Sequence, residues 1–305
     1  MVKSYFRVLS IAGSDSGGGA GIQADIKTIS AMGCYATSAI TAATVQNTLG
    51  VQAVHPVPLD ILEGQIDAVL SDIGADAIKI GMLHSAEVVN LVADKIEKYG
   101  ITNVVLDPVM VSTSGHRLIE EDAVEHIKRR LIPLSRIITP NLPEAEILSG
   151  RKIEGEADFP EVAKVISNIS EAGTVSVFLK AGHLNGDTLI DYFYNAEAQT
   201  MIPLPSKRIY TRNTHGTGCT LSSALAASLA KGLALEDAAV CAKEYISEAL
   251  RSGAEIKTGN GFGPVNHAFA PQEMLISYQD SNQDSNQNIN QNTNQNTNQN
   301  TNQNG

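Results

Sequence analysis

The chain has 305 residues, of which 18% are charged, and its formal net charge at pH 7 is −11. This acidic balance, with no Lys/Arg cluster longer than the one at 128–130, argues against nucleic-acid binding as the main task. No run of 18 apolar residues is present, so we expect no membrane-spanning helix. Three cysteines and an N-terminus without a signal-peptide pattern predict a cytoplasmic protein without disulfides.

Composition divides the chain into two parts. From residue 279 onward the sequence is a near-repeat of Asn, Gln, Thr and Ser with almost no apolar side chain. Such a segment has too little to bury to offset its ordering entropy, so we predict a disordered tail over 279–305. Residues 1–278 are long enough for one large α/β domain.

Apolar runs of strand length alternate with segments of helical period along this domain. Strands are predicted at 6–11, 38–45, 77–80, 103–107, 136–139 and 175–180, with a further pair at 188–194 and 199–202. Helices are predicted over 20–32, 62–73, 86–99, 120–131, 143–148, 161–172, 220–231 and 238–250. This alternation predicts a mostly parallel sheet with helices on both faces. Ligands of such sheets bind beyond the carboxyl ends of the strands.

The segment NTHGTGC at 213–219 stands immediately before a predicted helix. Gly216 and Gly218 allow a tight turn and a close approach of the backbone to a ligand. The unpaired N–H groups of the first helical turn, with the helix dipole behind them, predict an anion site. Cys219 lies at the same helix entrance, where the pKa of a thiol tends to fall. The alternative is a glycine-rich helix start with a buried cysteine.

Two features near the first strands suit a flat ligand. The loop AGSDSGGGAG at 12–21 has neither the dinucleotide-binding glycine spacing nor a P-loop, so we interpret it as backbone packed close to a small ligand. The alternative is a flexible connector. Gln46 ends the second strand and offers donors and an acceptor to an amino-substituted heterocycle. Met82, after the third strand, offers a soft apolar wall.

Charged and polar residues follow the next strands. Asp107, Asn141 and Glu144 supply hard oxygen ligands that suit Mg²⁺ with several retained waters. Lys180 ends the sixth strand, where it can neutralise phosphate oxygens. The structural alternatives are helix capping by Asn141, a solvated Glu144 and a solvated lysine. Because all these residues follow strands of one sheet, they predict one functional site.

These segments together resemble the hydroxymethylpyrimidine/phosphomethylpyrimidine kinases of thiamine biosynthesis, within the ribokinase-like superfamily. The resemblance covers about 6–269 and is carried by IAGSDSGGGAGIQADIKT at 11–28, QNTLGV at 46–51, KIGM at 79–82, DPVM at 107–110, ITPNLPEA at 138–145, NTHGTGCTLS at 213–222 and GFGPVNHAF at 261–269. It implies a three-layer α/β/α fold with a mostly parallel central sheet. It also implies a homodimer that transfers the γ-phosphoryl group of MgATP to 4-amino-5-hydroxymethyl-2-methylpyrimidine, and then phosphorylates the monophosphate.

The resemblance also implies roles for particular residues. Gln46 takes the position that hydrogen-bonds the pyrimidine, and the residues around the ring are Gly13, Ala20, Met82 and Val109. The anion hole and the catalytic groups are Gly216, Thr217, Gly218, Cys219 and Lys180, with Cys219 accepting a proton late in the transfer. The residues associated with ATP and Mg²⁺ are Asp107, Asn141, Glu144, Thr214 and His215, with Asp107 and Glu144 facing the metal. The departures from the family pattern are Asn213, Ala181 and Asn266.

Two other functions stay open at this point. A pyridoxine or pyridoxal kinase would act on a similar flat ring that carries a hydroxymethyl group. A non-catalytic pyrimidine sensor would predict loss of Cys219, Glu144 or Lys180, and all three are present.

Overall fold

The computed structural model describes residues 2–110, 119–170, 173–182 and 186–279. Its strands are β1 (Val2–Tyr5), β2 (Arg7–Ser14), β3 (Tyr35–Asn47), β4 (Gly50–Pro56), β5 (Ala77–Ile80), β6 (Val104–Leu106), β7 (Ile137–Ile138), β8 (Ser176–Leu179), β9 (Thr188–Asn195), β10 (Thr200–Lys207) and β11 (Ile276–Gln279). Its helices are α1 (Gly21–Ala31), α2 (Leu59–Ala68), α3 (Ala86–Tyr99), α4 (Glu121–His126), α5 (Leu142–Ser149), α6 (Phe159–Ser167), α7 (Thr217–Ala230) and α8 (Leu235–Gly253).

Nine of these strands form the central sheet, in the order β10-β9-β8-β7-β6-β5-β2-β3-β4. The inner strands from β8 to β3 pair in parallel, whereas β4, β9 and β10 join antiparallel at the two edges. The prediction of a mostly parallel sheet is therefore confirmed. The carboxyl ends of the parallel strands meet at one edge, which is where the polar residues of the sequence motifs lie.

Helices cover both faces of the sheet. Leu9 and Ile11 of β2 are fully buried in a core cluster with α2, α3, α5 and α6, whereas Val8 is fully buried in a second cluster with α1, α7 and α8. Side chains of a strand alternate between faces, so one apolar run fills both layers. Burial of each such side chain stabilises the fold by roughly 1.5–3 kcal/mol. The three-layer α/β/α prediction is confirmed.

Several predicted elements have different bounds, and three strands were not predicted. The residues of β4 are mostly exposed, so they lack the apolar alternation that marks a strand. β1 and β11 pair with each other across most of the chain length, which no local pattern reveals. The helix predicted over 120–131 is α4 followed by a wider helical turn at Ile127–Leu131. α7 begins at Thr217 and not at 220.

The predicted tail over 279–305 has only its first residue in the described part of the chain, as the last residue of β11. Leu275, just before β11, bonds to the carbonyl of Gly33 at the amino edge of the sheet. The chain therefore leaves the described domain at the edge opposite the carboxyl ends of the strands. Of the described helices, none is long and apolar enough to cross a membrane.

Candidate active site

A cavity of about 620 Å³ lies at the carboxyl edge of the sheet. All the site residues that the sequence predicted line it, and they come from strand ends and from the start of α7. They are Gly13, Ala20, Gln46, Met82, Asp107, Val109, Asn141, Glu144, Lys180, Thr214, His215, Gly216, Thr217, Gly218 and Cys219. The structure therefore brings together residues up to two hundred positions apart in the chain.

The predicted anion hole lies at the first turn of α7. Gly216 caps this helix with φ of 83°, a conformation that side chains other than glycine rarely adopt. A Cβ atom at Gly216 would overlap the carbonyl oxygen of Gly19, so the two glycine-rich loops are in direct contact. A Cβ atom at Gly218 would lie 3.2 Å from Lys180 Nζ. Backbone N–H groups and a lysine ammonium therefore converge on the same space.

Asp15 organises the glycine-rich loop after β2, a role that the sequence analysis missed. Its carboxylate is 3% exposed and accepts hydrogen bonds from the N–H groups of Gly17, Gly19 and Ala20, at 2.8–3.0 Å. His215 Nε2 lies 2.8 Å from the same carboxylate. Burial alone would raise the pKa of Asp15, but these hydrogen bonds lower it below its usual value. The loop is thus folded around a carboxylate and is not a flexible connector.

Gln46 and Met82, which the family resemblance assigns to the pyrimidine, line one side of the cavity. Thr44 Oγ1 donates to Gln46 Oε1 at 3.1 Å, and Gln46 Nε2 lies 3.4 Å from His215 Nε2. The contact with Thr44 orients the carboxamide, whereas His215 Nε2 donates to Asp15 and cannot also accept from Gln46. A Cβ atom at Gly13 would lie 2.6 Å from Met82 Cε, so glycine leaves room for the methionine that forms the wall.

Asp107 and Lys180 form an ion pair close to the first turn of α7. Lys180 Nζ lies 3.0 Å from Asp107 Oδ1, and Thr139 donates to the same oxygen at 3.1 Å. Asp107 is 1% exposed, and burial alone would raise the pKa of its carboxyl. Lys180, and Lys79 behind it, outweigh this effect and lower the pKa. Asp107 is therefore a carboxylate at neutral pH.

Glu144 lies next to this pair and is not solvated. It forms a capping box with Asn141, in which Asn141 N–H donates to Glu144 Oε2 at 2.8 Å and Glu144 N–H donates to Asn141 Oδ1 at 2.9 Å. The capping role proposed for Asn141 is therefore present. Burial raises the pKa of Glu144 to about 7, with Lys180 opposing the shift and Asp107 adding to it.

The carboxyl oxygens of Asp107 and Glu144 suit a hard cation. In the described ranges no three His, Cys, Asp or Glu side chains form a ready metal cluster. Asp107 and Glu144 nevertheless present two carboxylates to the cavity beside the anion hole. Mg²⁺ keeps several waters and is commonly bound through one or two carboxylates plus substrate phosphates. The pair is thus sufficient for the Mg²⁺ of a nucleotide complex.

The predicted fall in the pKa of Cys219 is wrong for the chain without ligands. Burial raises the pKa of this thiol to about 11, Lys79 opposes the shift, and Asp25 and Asp107 add to it. The helix entrance and its amides are present as predicted, but the loss of water around the sulfur has the larger effect. The thiol form of Cys219 therefore dominates at neutral pH before substrates bind.

A second ion pair, behind Cys219, was also missed. Lys79 Nζ lies 2.8 and 2.9 Å from the two oxygens of Asp25, and both side chains are fully buried. A third pair lies at the far end of the cavity, where Lys243 Nζ is 2.7 Å from Asp191 and Asp191 accepts from Ala181 N–H. A charged residue inside a buried apolar strand, as in AIKI of β5, is the sequence signal that marks the second pair.

His267 is a buried histidine, and its titration gives a test of the fold. Burial lowers the pKa of its ring to about 4, with Lys27 and His215 adding to the shift. Its pKa in the unfolded chain is about 6.5, so between pH 6.5 and 4 the unfolded chain binds more protons. The free energy of unfolding must then fall as the pH falls, by up to about 1.4 kcal/mol per pH unit.

We expect His267→Gln to remove this dependence. Urea unfolding at pH 7 and pH 4.5 should show that the unsubstituted chain loses about 2 kcal/mol more than the variant between these pH values. Parallel losses in the two proteins would mean that the ring of His267 is protonated in the folded state.

Comparisons with known proteins agree with this geometry. A family model described as phosphomethylpyrimidine kinase matches residues 15–266. The hydroxymethylpyrimidine/phosphomethylpyrimidine kinase of Rhizobium meliloti (strain 1021) is 49% identical over 259 residues, which are 85% of this chain and 96% of that protein. The crystal structure of phosphomethylpyrimidine kinase from Clostridium difficile 630 is 43% identical, with a TM-score of 0.70, and covers 80% of this chain and 99% of its own. The pyridoxal kinase from Staphylococcus aureus in complex with AMP-PCP and pyridoxal is 32% identical, with a TM-score of 0.79, and covers 90% and 99%.

Proposed function

The chain belongs to the phosphomethylpyrimidine kinase family, with a ribokinase-like fold, and we propose that it makes the pyrimidine pyrophosphate of thiamine biosynthesis in two ATP-dependent steps. The first step phosphorylates the hydroxymethyl group of 4-amino-5-hydroxymethyl-2-methylpyrimidine. The second phosphorylates the monophosphate. The observation that carries the proposal is one cavity that joins the wall of Gln46 and Met82 to the anion hole of α7, with Cys219 between them.

The transfer itself needs few groups. The hydroxymethyl oxygen forms a bond to the γ-phosphorus while the bond from that phosphorus to the ADP oxygen breaks. The hydroxyl proton passes to the sulfur of Cys219, whose thiol has first lost its own proton to water. Charge gathers on the transferred group and the leaving oxygen, because the transition state is loose. Lys180 and the N–H groups of Gly218 and Cys219 face this charge, and we assign them the larger share of catalysis.

Mg²⁺ would be held by Asp107 and Glu144 together with phosphate oxygens and water. When bound, it neutralises charge on the phosphates. The pKa of Glu144, near 7 without the ion, falls when a cation lies beside its carboxylate. ATP is the phosphoryl donor, and a neighbour of the same fold holds AMP-PCP.

Cys219→Ser tests the proton acceptor. A hydroxyl is a far weaker base than a thiolate, so we expect kcat to fall by about 10²-fold or more. The KM for the pyrimidine should stay within about twofold, because the anion hole and Gln46 are unchanged. Steady-state kinetics of ADP release measure both constants. Cys241→Ser, on the partly buried face of α8 outside the cavity, is the matched control. An unchanged kcat would make Cys219 a pocket residue only.

The pyridoxine kinase alternative is not favoured, because the relatives of higher identity are pyrimidine kinases. We expect kcat/KM for the hydroxymethylpyrimidine to exceed that for pyridoxine by at least about tenfold, since Gln46 can pair with both the amino group and a ring nitrogen. ADP release with each substrate measures this ratio. A ratio that favours pyridoxine would overturn the assignment of the substrate. The sensor alternative is set aside, because the chain belongs to a kinase family.

The proposal also covers the bounds of the kinase domain, the location of the protein and its assembly. We propose that the kinase domain comprises residues 1–278 and that residues 279–305 play no part in catalysis. Leu275, just before β11, donates to the carbonyl of Gly33 at the amino edge of the sheet, which supports this assignment. We further propose that the protein is a homodimer, as the family resemblance implies. The few, unpaired cysteines favour a cytoplasmic location.

A further inference from the structure

The ion pair of Lys79 and Asp25 is held rigidly in the wall behind the anion hole. Asp25 lies on α1 and Lys79 on β5, and neither side chain is exposed. Ser10 from β2 and Ser223 from α7 donate to the same carboxylate, at 2.6 and 2.7 Å. Each oxygen of Asp25 therefore accepts from Lys79 and from one serine. Four elements of the fold fix the position of the lysine ammonium.

The ammonium of Lys79 adjoins the cavity. Lys79 is one of the residues that line it, as is Cys219. A Cβ atom at Gly81 would lie 2.9 Å from Lys79 Nζ, so glycine at this position leaves space for the ammonium. An ammonium has three N–H donors, and the two oxygens of Asp25 accept only two of them. The third is directed away from the carboxylate.

Four charged groups act on the thiol of Cys219 from the surrounding elements. They are Lys79 on β5, Asp25 on α1, Asp107 after β6 and Lys180 after β8. The strongest of these influences on the thiol is that of Lys79, and it is the one that favours the thiolate over the buried thiol. Asp25 opposes it more weakly, so the pair as a whole favours the thiolate.

Stability alone does not explain a fully buried pair at this place. Removing two charges from water costs several kcal/mol per ion, and an apolar replacement of such pairs is often neutral or stabilising. A cation fixed in a wall that excludes water stabilises charge beside it without reorganisation of solvent. The position of the pair therefore indicates a task in the reaction.

We propose that Lys79, fixed by Asp25, is a positioning residue whose ammonium stabilises the thiolate of Cys219 that receives the hydroxyl proton. The identity of the proton donor rests on the proposed function. The proton moves from the hydroxymethyl oxygen to sulfur as that oxygen bonds to phosphorus and ADP leaves. Lys79 keeps all three of its protons. Its effect on the rate acts through the sulfur of Cys219.

The test removes both charges and keeps the packing. Lys79→Met combined with Asp25→Asn leaves no uncompensated buried charge, and an amide can still bond to Ser10 and Ser223. The matched control is Lys95→Met with Asp67→Asn, because Lys95 is also buried, at 5% exposure, and lies 2.7 Å from Asp67 outside the cavity. Circular dichroism and thermal unfolding establish that each variant folds.

The first readout is the alkylation of Cys219 by iodoacetamide in the protein without substrates, followed by mass spectrometry of the Cys219 peptide from pH 7 to 10. Only the thiolate reacts, and a rise of one unit in pKa reduces its fraction tenfold. We expect about tenfold slower alkylation at pH 8 in the double variant and a change below twofold in the control. The second readout is kcat with the pyrimidine, which should fall about tenfold while KM stays within twofold.

For Asp25→Asn alone we expect the opposite change in the alkylation rate of Cys219. It removes a negative charge that disfavours the thiolate, so Cys219 should be alkylated faster than in the unsubstituted chain. Because it leaves the ammonium of Lys79 without its carboxylate, circular dichroism must first show that this variant folds. Where it folds, the test stays decisive without the double variant.

The outcomes distinguish a failure of the proposal for Lys79 from a failure of the proposed function. Unchanged alkylation in a folded double variant would overturn the proposal even if kcat fell, because the fall would then be structural. Slower alkylation with an unchanged kcat would also overturn it, since Cys219 would not be the proton acceptor. Failure of the unsubstituted chain to phosphorylate the pyrimidine would instead refute the proposed function, and the alkylation rates would still report the effect of Lys79.

Discussion

Lys180→Met should lower kcat by about 10²–10³-fold, an effect comparable to the loss of an oxyanion-hole donor in other enzymes. Lys180 Nζ lies beside the first turn of α7, 3.2 Å from the position of a Cβ atom at Gly218, and only 17% of its side chain is exposed. The developing charge on the phosphoryl group would lose its main fixed cation. Thr139 and Ser222 still donate to Asp107, which limits the structural damage.

Steady-state kinetics with saturating ATP and pyrimidine measure this effect. Lys98→Met is the control, because Lys98 is 54% exposed and pairs with Asp67 on the surface. A folded Lys180→Met variant with kcat within threefold of the unsubstituted chain would show that Lys180 does not face the transferred group.

Gly216→Ala should abolish measurable activity and reduce the free energy of unfolding by about 3 kcal/mol or more. The φ of 83° costs a residue with a side chain about 1–2 kcal/mol. The new methyl group would also overlap the carbonyl of Gly19, so the two glycine-rich loops must separate. The anion hole and the loop that Asp15 organises would then be displaced together.

Gly64→Ala is the matched control for this substitution. Gly64 lies within α2, no atom lies within 4 Å of its added Cβ atom, and alanine favours a helix by roughly 0.5–1 kcal/mol. Urea unfolding of both variants, together with ADP release, measures the contrast. Equal stability of the Gly216→Ala and unsubstituted proteins would mean that the loops do not pack as the structure places them.

Much of the fold and the composition of the cavity could be predicted from the sequence. Strands such as β5 and β8 are buried on both faces, so they appear as continuous apolar runs between helices. Once the strands were placed, the polar residues after them had to meet at the carboxyl edge. β4 was missed for the converse reason, since an edge strand with exposed residues has no such pattern.

The polar network of the site could not be predicted in this way. Asp15 and His215 are 200 residues apart, and Asp25 and Ser223 are 198 apart, so no local rule joins them. The pKa of Cys219 could not be predicted from local sequence either. The helix entrance was read correctly, but the direction of the shift depends on burial and on three charges from other elements.

The same network explains why the site contains so many ionisable groups within one cavity wall. Lys180 compensates Asp107 and Lys79 compensates Asp25, so each buried carboxylate has its own cation. Glu144 is the exception, since it shares Lys180 with Asp107, and burial, with Asp107 adding to it, raises its pKa to about 7. A magnesium ion beside Asp107 and Glu144 would supply the missing positive charge.

The most direct test of the central claim is the mass of the products formed over time from the hydroxymethylpyrimidine and MgATP, with pyridoxine in a parallel reaction. The account predicts the monophosphate first and the diphosphorylated pyrimidine later, with pyridoxine phosphorylated more slowly. An unchanged pyrimidine beside phosphorylated pyridoxine would contradict it, and would assign the cavity of Gln46 and Cys219 to a vitamin B6 kinase.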